Sequence, residues 1–133
     1  MLDKKKFYIN GEWVDPKNPN NFEVINPSTE EVCAVINLGS SDDTNSAVKA
    51  ARNAFETWKE TSKKERLQFL EKLLKIYKAR WDDMTDAITT ELGCPKDWCS
   101  ANQTSSGAGH IEDFIKRLKA VSYTHLRAHE TPL

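Results

Sequence analysis

The stretch Glu31-Val32-Cys33-Ala34-Val35-Ile36-Asn37-Leu38-Gly39-Ser40-Ser41-Asp42-Asp43 is where the chain changes its period. Val32 to Ile36 is a nearly continuous apolar run, the pattern of a strand covered on both faces. Beyond Ser40 the apolar positions recur at helical spacing: Ala47, Ala51, Ala54, Phe55 and Trp58 share one face. Ser40 is placed to cap that helix, with Asp42 and Asp43 in the first turn, where negative charge complements the helix dipole. The fold class that follows is α/β, with strands first and amphipathic helices after.

Before this junction the chain reads as short strands. Phe7-Tyr8-Ile9 and Glu12-Trp13-Val14 flank Asn10-Gly11, a pair that tolerates the positive φ of a tight hairpin turn. Asp15 to Asn21 carries Pro16 and Pro19 and reads as a loop. Phe22 to Ile25 is a second strand candidate, ended by Asn26-Pro27. The basic run Lys4-Lys5-Lys6 reads as a solvated tail before the first strand.

After it, three more helical segments are expected. Ser62-Lys63-Lys64-Glu65 is a capping box opening a helix with Leu70, Leu73, Leu74 and Tyr77 on one stripe. Trp81, Met84, Ile88 and Leu92 mark the next, closed by Gly93 in a left-handed cap and by Pro95. The last is weaker, since Gln103 to Gly109 is polar and glycine-containing. Ile111, Phe114, Ile115 and Leu118 then restore the apolar stripe. Three short strands cannot cover this much apolar helix surface, so a larger body is expected to complete the core, the alternative being a compact helical bundle with a β appendage.

The 133 residues fit one modest domain or part of a larger one, and the formal net charge of -1 gives no global field for nucleic acid or an anionic membrane. No apolar run approaches the roughly 20 residues that cross a bilayer, and no apolar segment follows the N-terminal lysines as in a secretory signal. With an odd cysteine count (Cys33, Cys94, Cys99), this predicts free thiols in a reducing, cytoplasmic compartment. Cys33 reads as a small hydrophobe within its strand. His110 reads as a surface or packing residue. Gly107 and Gly109 follow no strand, so no phosphate-binding loop is expected.

Taken in register, these segments resemble the opening of the NAD(P)-dependent aldehyde dehydrogenase superfamily. Phe7 to Val14 resembles its first hairpin. Phe22 to Thr29 with Glu31-Val32 resembles its strand and turn of the form Asn-Pro-x-Thr. Ser40 to Trp58 matches its first helix through Asp43, Ala47-Val48, Ala50-Ala51, Ala54-Phe55 and Trp58. Glu65-Arg66 with Leu70, and Glu91-Leu92-Gly93 with Pro95, match the next two. The likeness covers Lys6 to Lys119 and makes residues 1–120 an incomplete part of a Rossmann-like cofactor-binding domain.

Residues 121–133 do not resemble the family and read as non-native sequence. They hold His125 and His129, whose spacing of four could bind a metal on a helix but lacks other ligands nearby.

The resemblance implies a whole enzyme that oxidises an aldehyde to a carboxylic acid with NAD or NADP. A cysteine thiolate would attack the aldehyde carbon, a glutamate would activate water, and all such residues would lie downstream of this segment. The 133 residues would then hold no catalytic or cofactor-binding residue and be inactive alone, while the whole enzyme would form a homo-oligomer. The resemblance also implies a structural monovalent cation held by the backbone carbonyls of Val24 and Ile25 and the carboxylate of Glu91; otherwise Glu91 pairs locally. The competing reading is a non-catalytic α/β interaction module whose helix faces bind a partner.

Overall fold

A computed structural model describes residues 2–121. Five strands precede five α-helical segments: β1 (Leu2–Lys4), β2 (Phe7–Ile9), β3 (Glu12–Val14), β4 (Asn21–Asn26), β5 (Glu31–Asn37), α1 (Ser41–Trp58), α2 (Lys63–Ala79), α3 (Trp81–Leu92), α4 (Lys96–Trp98) and α5 (Ser105–Ala120). A π-helical turn, Cys99–Thr104, joins α4 to α5, so the chain is helical from Lys96 to Ala120. The polar Gln103–Gly109 region therefore does not weaken the last helix. Thr104 and Ala108 within it are buried, while Gln103, Ser106 and Gly109 stay exposed.

The strands form two sheets. β5 is the centre of one, antiparallel to β4 and parallel to β1. β2 and β3 form the expected hairpin, with Asn10 at φ 55 and Gly11 at φ 84. The N-terminal segment departs from its reading as a solvated tail. Leu2–Lys4 pairs with Ala34–Ile36, through backbone groups, while its own side chains stay exposed. An edge strand of that kind leaves no apolar alternation for a sequence pattern to show.

Two buried polar side chains fasten the connections between strands, one to β5 and the other to α1. Asn37, at the end of β5, donates through Nδ2 to the Lys5 carbonyl at 2.9 Å and accepts from the Asn20 amide at 2.8 Å. Asp43 accepts from the Lys17 amide at 2.9 Å and closes the capping box with Ser40. Both are buried with their hydrogen-bonding groups satisfied. The Ser62 and Glu65 box opens α2 as expected.

The helical core lies where α2 and α3 meet the π turn and α5. Thr85 and Thr104 are fully buried, and their hydroxyls share a hydrogen bond of 2.9 Å. Trp81 donates from Nε1 to the Ser100 hydroxyl at 2.9 Å. Among the described residues the buried apolar ones are only Ala34, Cys99, Ala108 and Ile115. The stripe on α1 is not covered: Phe55 and Trp58 are exposed, and Trp58 rests on Phe69 of α2, ring centroids 5.4 Å apart, with the Arg66 guanidinium above it. Amphipathic helices thus expose the apolar faces that their spacing marks as core.

Candidate functional site

The junction of β4 with α3 holds the residues singled out for cation binding. Val24 and Ile25 sit on β4 at a break in register: Val24 pairs with Ala34, but Ile25 pairs with Val32. A bulge of this kind takes backbone groups out of the ladder. The Val24 carbonyl accepts from the Cys33 thiol at 3.3 Å, a weak donor. Cys33 is therefore half-buried and hydrogen-bonded as well as packed.

β4 ends in a tight turn built by Asn26. Its Oδ1 accepts from the Ser28 amide at 2.8 Å and the Thr29 amide at 3.4 Å, and its carbonyl accepts from the Glu30 amide at 2.8 Å. Such a side chain mimics a backbone turn, which explains why Asn precedes Pro27 here. The turn abuts the end of α3. Gly93, left-handed at φ 67, caps that helix, and a Cβ built on it would lie 2.7 Å from the Ser28 amide nitrogen. Only glycine admits both the conformation and the approach.

Glu91 lies on α3 two residues before that cap. It lines a cleft of about 330 Å³ between α3 and the sheet, together with Leu2, Cys33, Asp83, Asp86 and Thr90. Among the described residues Glu91 has no ion-pair partner. Asp86, by contrast, pairs with Lys96 at 2.5 Å, and that hydrogen bond holds the Lys96 ammonium above its ordinary range. The structure thus brings Glu91 to the same cleft as Cys33, the donor to the Val24 carbonyl. Neither Val24 nor Ile25 lines that cleft; the ligands expected from the sequence, two carbonyls and a carboxylate, are all oxygen, which suits a hard cation. No group of three or more His, Cys, Asp or Glu side chains stands together as a metal cluster among the described residues.

The other residues singled out from the sequence fall away from this cleft. His110 is exposed on α5. His125 and His129 lie outside the described residues. Cys94 and Cys99 do not remain separate free thiols. Gly93 and Pro95 turn the chain so that the two come together with Cα atoms 6.2 Å apart, and their sulfurs are paired. A spacing of five residues hides this, because it is the corner between them that closes the distance.

The Aldehyde dehydrogenase family model matches residues 13–132. The chain belongs to the aldehyde dehydrogenase family. A 3-succinoylsemialdehyde-pyridine dehydrogenase from a Pseudomonas species is 41% identical over 112 residues, covering 84% of this chain and 24% of that protein. Among solved structures, an aldehyde dehydrogenase from Bartonella henselae is 53% identical, with a TM-score of 0.90 over 92% of this chain and 26% of its own. Aldehyde dehydrogenase C from Pseudomonas syringae, a variant solved with NAD+ and octanal, is 34% identical, with a TM-score of 0.86 over 90% of this chain and 24% of its own. The chain therefore spans about a quarter of the length of the aldehyde dehydrogenases it matches. The expected α/β class and the family reading both hold. The strands and helices described here are those of aldehyde dehydrogenase structures, and none of the helices is long and apolar enough to cross a membrane.

Proposed function

We propose that this sequence is the strand-and-helix start of a cytoplasmic, homo-oligomeric enzyme that oxidises an aldehyde with NAD or NADP, and that these 133 residues alone are inactive. The observation that carries the reading is the family match over residues 13–132, at about a quarter of the relatives' length. The whole reaction converts aldehyde, water and oxidised nicotinamide into carboxylic acid, reduced nicotinamide and a proton. Bound nicotinamide supplies the hydride acceptor. A nucleophilic thiol and a base for water are also needed. Cys99 is buried and paired with Cys94, and Cys33 donates to the Val24 carbonyl, so neither Cys33 nor Cys99 stands open to a carbonyl carbon.

What these residues contribute on this reading is scaffold. The bulged carbonyls of Val24 and Ile25 and the unpaired carboxylate of Glu91 would hold a monovalent cation that fastens β4 to α3. The observation in favour is a carboxylate that, among the described residues, has no ion-pair partner, on a cleft that Cys33 also lines. The whole enzyme would take a small-molecule aldehyde and needs neither nucleic acid nor membrane.

Two measurements test this. Mixing the 133-residue chain with octanal and NAD+ and following absorbance of reduced nicotinamide should show no turnover, and steady turnover would overturn the inactivity. Thermal unfolding in potassium chloride should run higher than in choline chloride of equal ionic strength. Glu91→Gln should abolish the difference. Identical midpoints in the two salts would remove the cation.

A further inference from the structure

We propose that Cys94 and Cys99 are a reversible thiol-oxidation site, closed by a hydroperoxide and reopened by a dithiol, that staples the end of α3 to the start of the last helical run. The two residues stand on opposite sides of a corner that the sequence makes rigid. Gly93 ends α3 in the left-handed conformation, and Pro95 precedes α4 with φ -56. The chain doubles back in between, and the Cα atoms come within 6.2 Å. That lies inside the roughly 4.4–6.8 Å over which a disulfide closes without backbone movement.

The two thiols are not equivalent. Cys99 is fully buried where the π turn packs on α3, whereas Cys94 is partly open. Oxidant therefore reaches Cys94 first. Its sulfur displaces water from the hydroperoxide, here hydrogen peroxide, and becomes a sulfenic acid. The Cys99 sulfur then attacks the Cys94 sulfur, the S–O bond breaks, and hydroxide leaves with the Cys99 proton as a second water. Two thiols lose two electrons, and the peroxide gains them. A dithiol reverses the step by exchange and is itself oxidised. Cys33 serves as an internal control, since its thiol is held against the Val24 carbonyl on β4.

The bridge encloses Lys96, which pairs with Asp86 on α3. Closing it holds together the corner from which Gly93 reaches the Ser28 turn. The test treats the full 133-residue chain with equimolar hydrogen peroxide and alkylates it in denaturant. One adduct per chain is expected, against three after dithiothreitol. Trypsin cuts after Arg80, Lys96 and Lys116, so the peptide Trp81–Lys96 should run linked to Asp97–Lys116 until reduced. Cys94→Ser should show no link and an alkylated Cys99. Under native conditions trypsin should cut after Lys96 several-fold more slowly in the oxidised chain than in the reduced one. Three adducts after peroxide, a link through Cys33 or between chains, or equal cleavage rates would each overturn the proposal.

Discussion

The Tyr77 hydroxyl donates to the Thr104 carbonyl across 3.0 Å, and it can do so because Gly107 leaves room beside it. A Cβ on Gly107 would meet the Tyr77 hydroxyl and lie 2.8 Å from Cζ. This pair fixes the distance between α2 and α5, whose packing makes up much of the helical core.

The first prediction concerns that pair. Gly107→Ala gains about 1 kcal/mol of helix propensity but forces the ring aside at about 1–3 kcal/mol. A net loss of about 1 kcal/mol is expected in urea unfolding. Tyr77→Phe removes the obstructing oxygen and its hydrogen bond, itself a loss of about 1 kcal/mol. The double variant should then lose less than the sum of the two, by at least about 0.5 kcal/mol. Strict additivity would mean that the glycine is not there for the tyrosine.

The second prediction separates two glycines with positive φ. At Gly11, φ 84, no heavy atom stands within 4 Å of a built Cβ. Gly11→Ala should cost about 1–2 kcal/mol, from backbone conformation alone. At Gly93 the Cβ would also strike the Ser28 backbone, which cannot swing away as a side chain would. Gly93→Ala should therefore lose about 2–4 kcal/mol. If chemical denaturation gave equal losses, the docking of the Asn26 turn onto α3 would not be contributing.

How much of this could be read from the sequence differs from residue to residue. The Asn10-Gly11 turn, the Ser40 cap, the Ser62 and Glu65 capping box and the Gly93 cap were legible because each is a local rule, satisfied within four or five residues; that Asp43 reaches back to the Ser40 amide was not read. β1 was not legible, since its pairing runs through backbone atoms and its side chains face solvent. Trp58 was legible as helix face but not in its exposure. At 43% exposed it packs only on Phe69 and Arg66, so Trp58→Ala should cost about 1–2 kcal/mol here, not the 3–5 kcal/mol of a buried indole. The Glu91 cleft needs β1, β5 and α3 placed together, and the Cys94 and Cys99 pairing needs the corner. No periodicity encodes either.

The third prediction is a pH dependence. The Lys17 amide, then the Ser40 hydroxyl and amide, hold the Asp43 carboxyl below its ordinary range. The Ser62 hydroxyl, then its amide, do the same for Glu65. A carboxyl depressed in the folded state gives stability that is fully present above its unfolded value, roughly 3.9 for Asp and 4.3 for Glu. That stability is lost as pH falls through the lower folded value. Unfolding midpoints in urea should therefore drop between pH 5 and pH 2.5, and Asp43→Asn should drop less steeply. Parallel curves would show that Asp43 does not couple the Lys17 loop to α1. At neutral pH, Ser62→Ala should cost about 1 kcal/mol through the lost cap.

The fourth prediction follows from the uncovered stripe. Phe69, Leu73 and Ile76 lie at helical spacing on α2 and are all about half exposed or more, with Phe55 and Trp58 beside them on α1. Contiguous apolar surface of this kind is rare on a monomer that stays alone in water. The 133-residue chain should therefore enhance the fluorescence of a hydrophobic dye and sediment as a concentration-dependent oligomer. Phe69→Ser with Leu73→Ser should lower both signals while leaving the helical circular dichroism in place, since neither side chain is buried in the chain as described. Polar substitution at Ala108 or Ile115, which are buried on α5, should instead unfold it. A monodisperse monomer that leaves the dye dark would mean that the α1 and α2 faces find cover within these 133 residues.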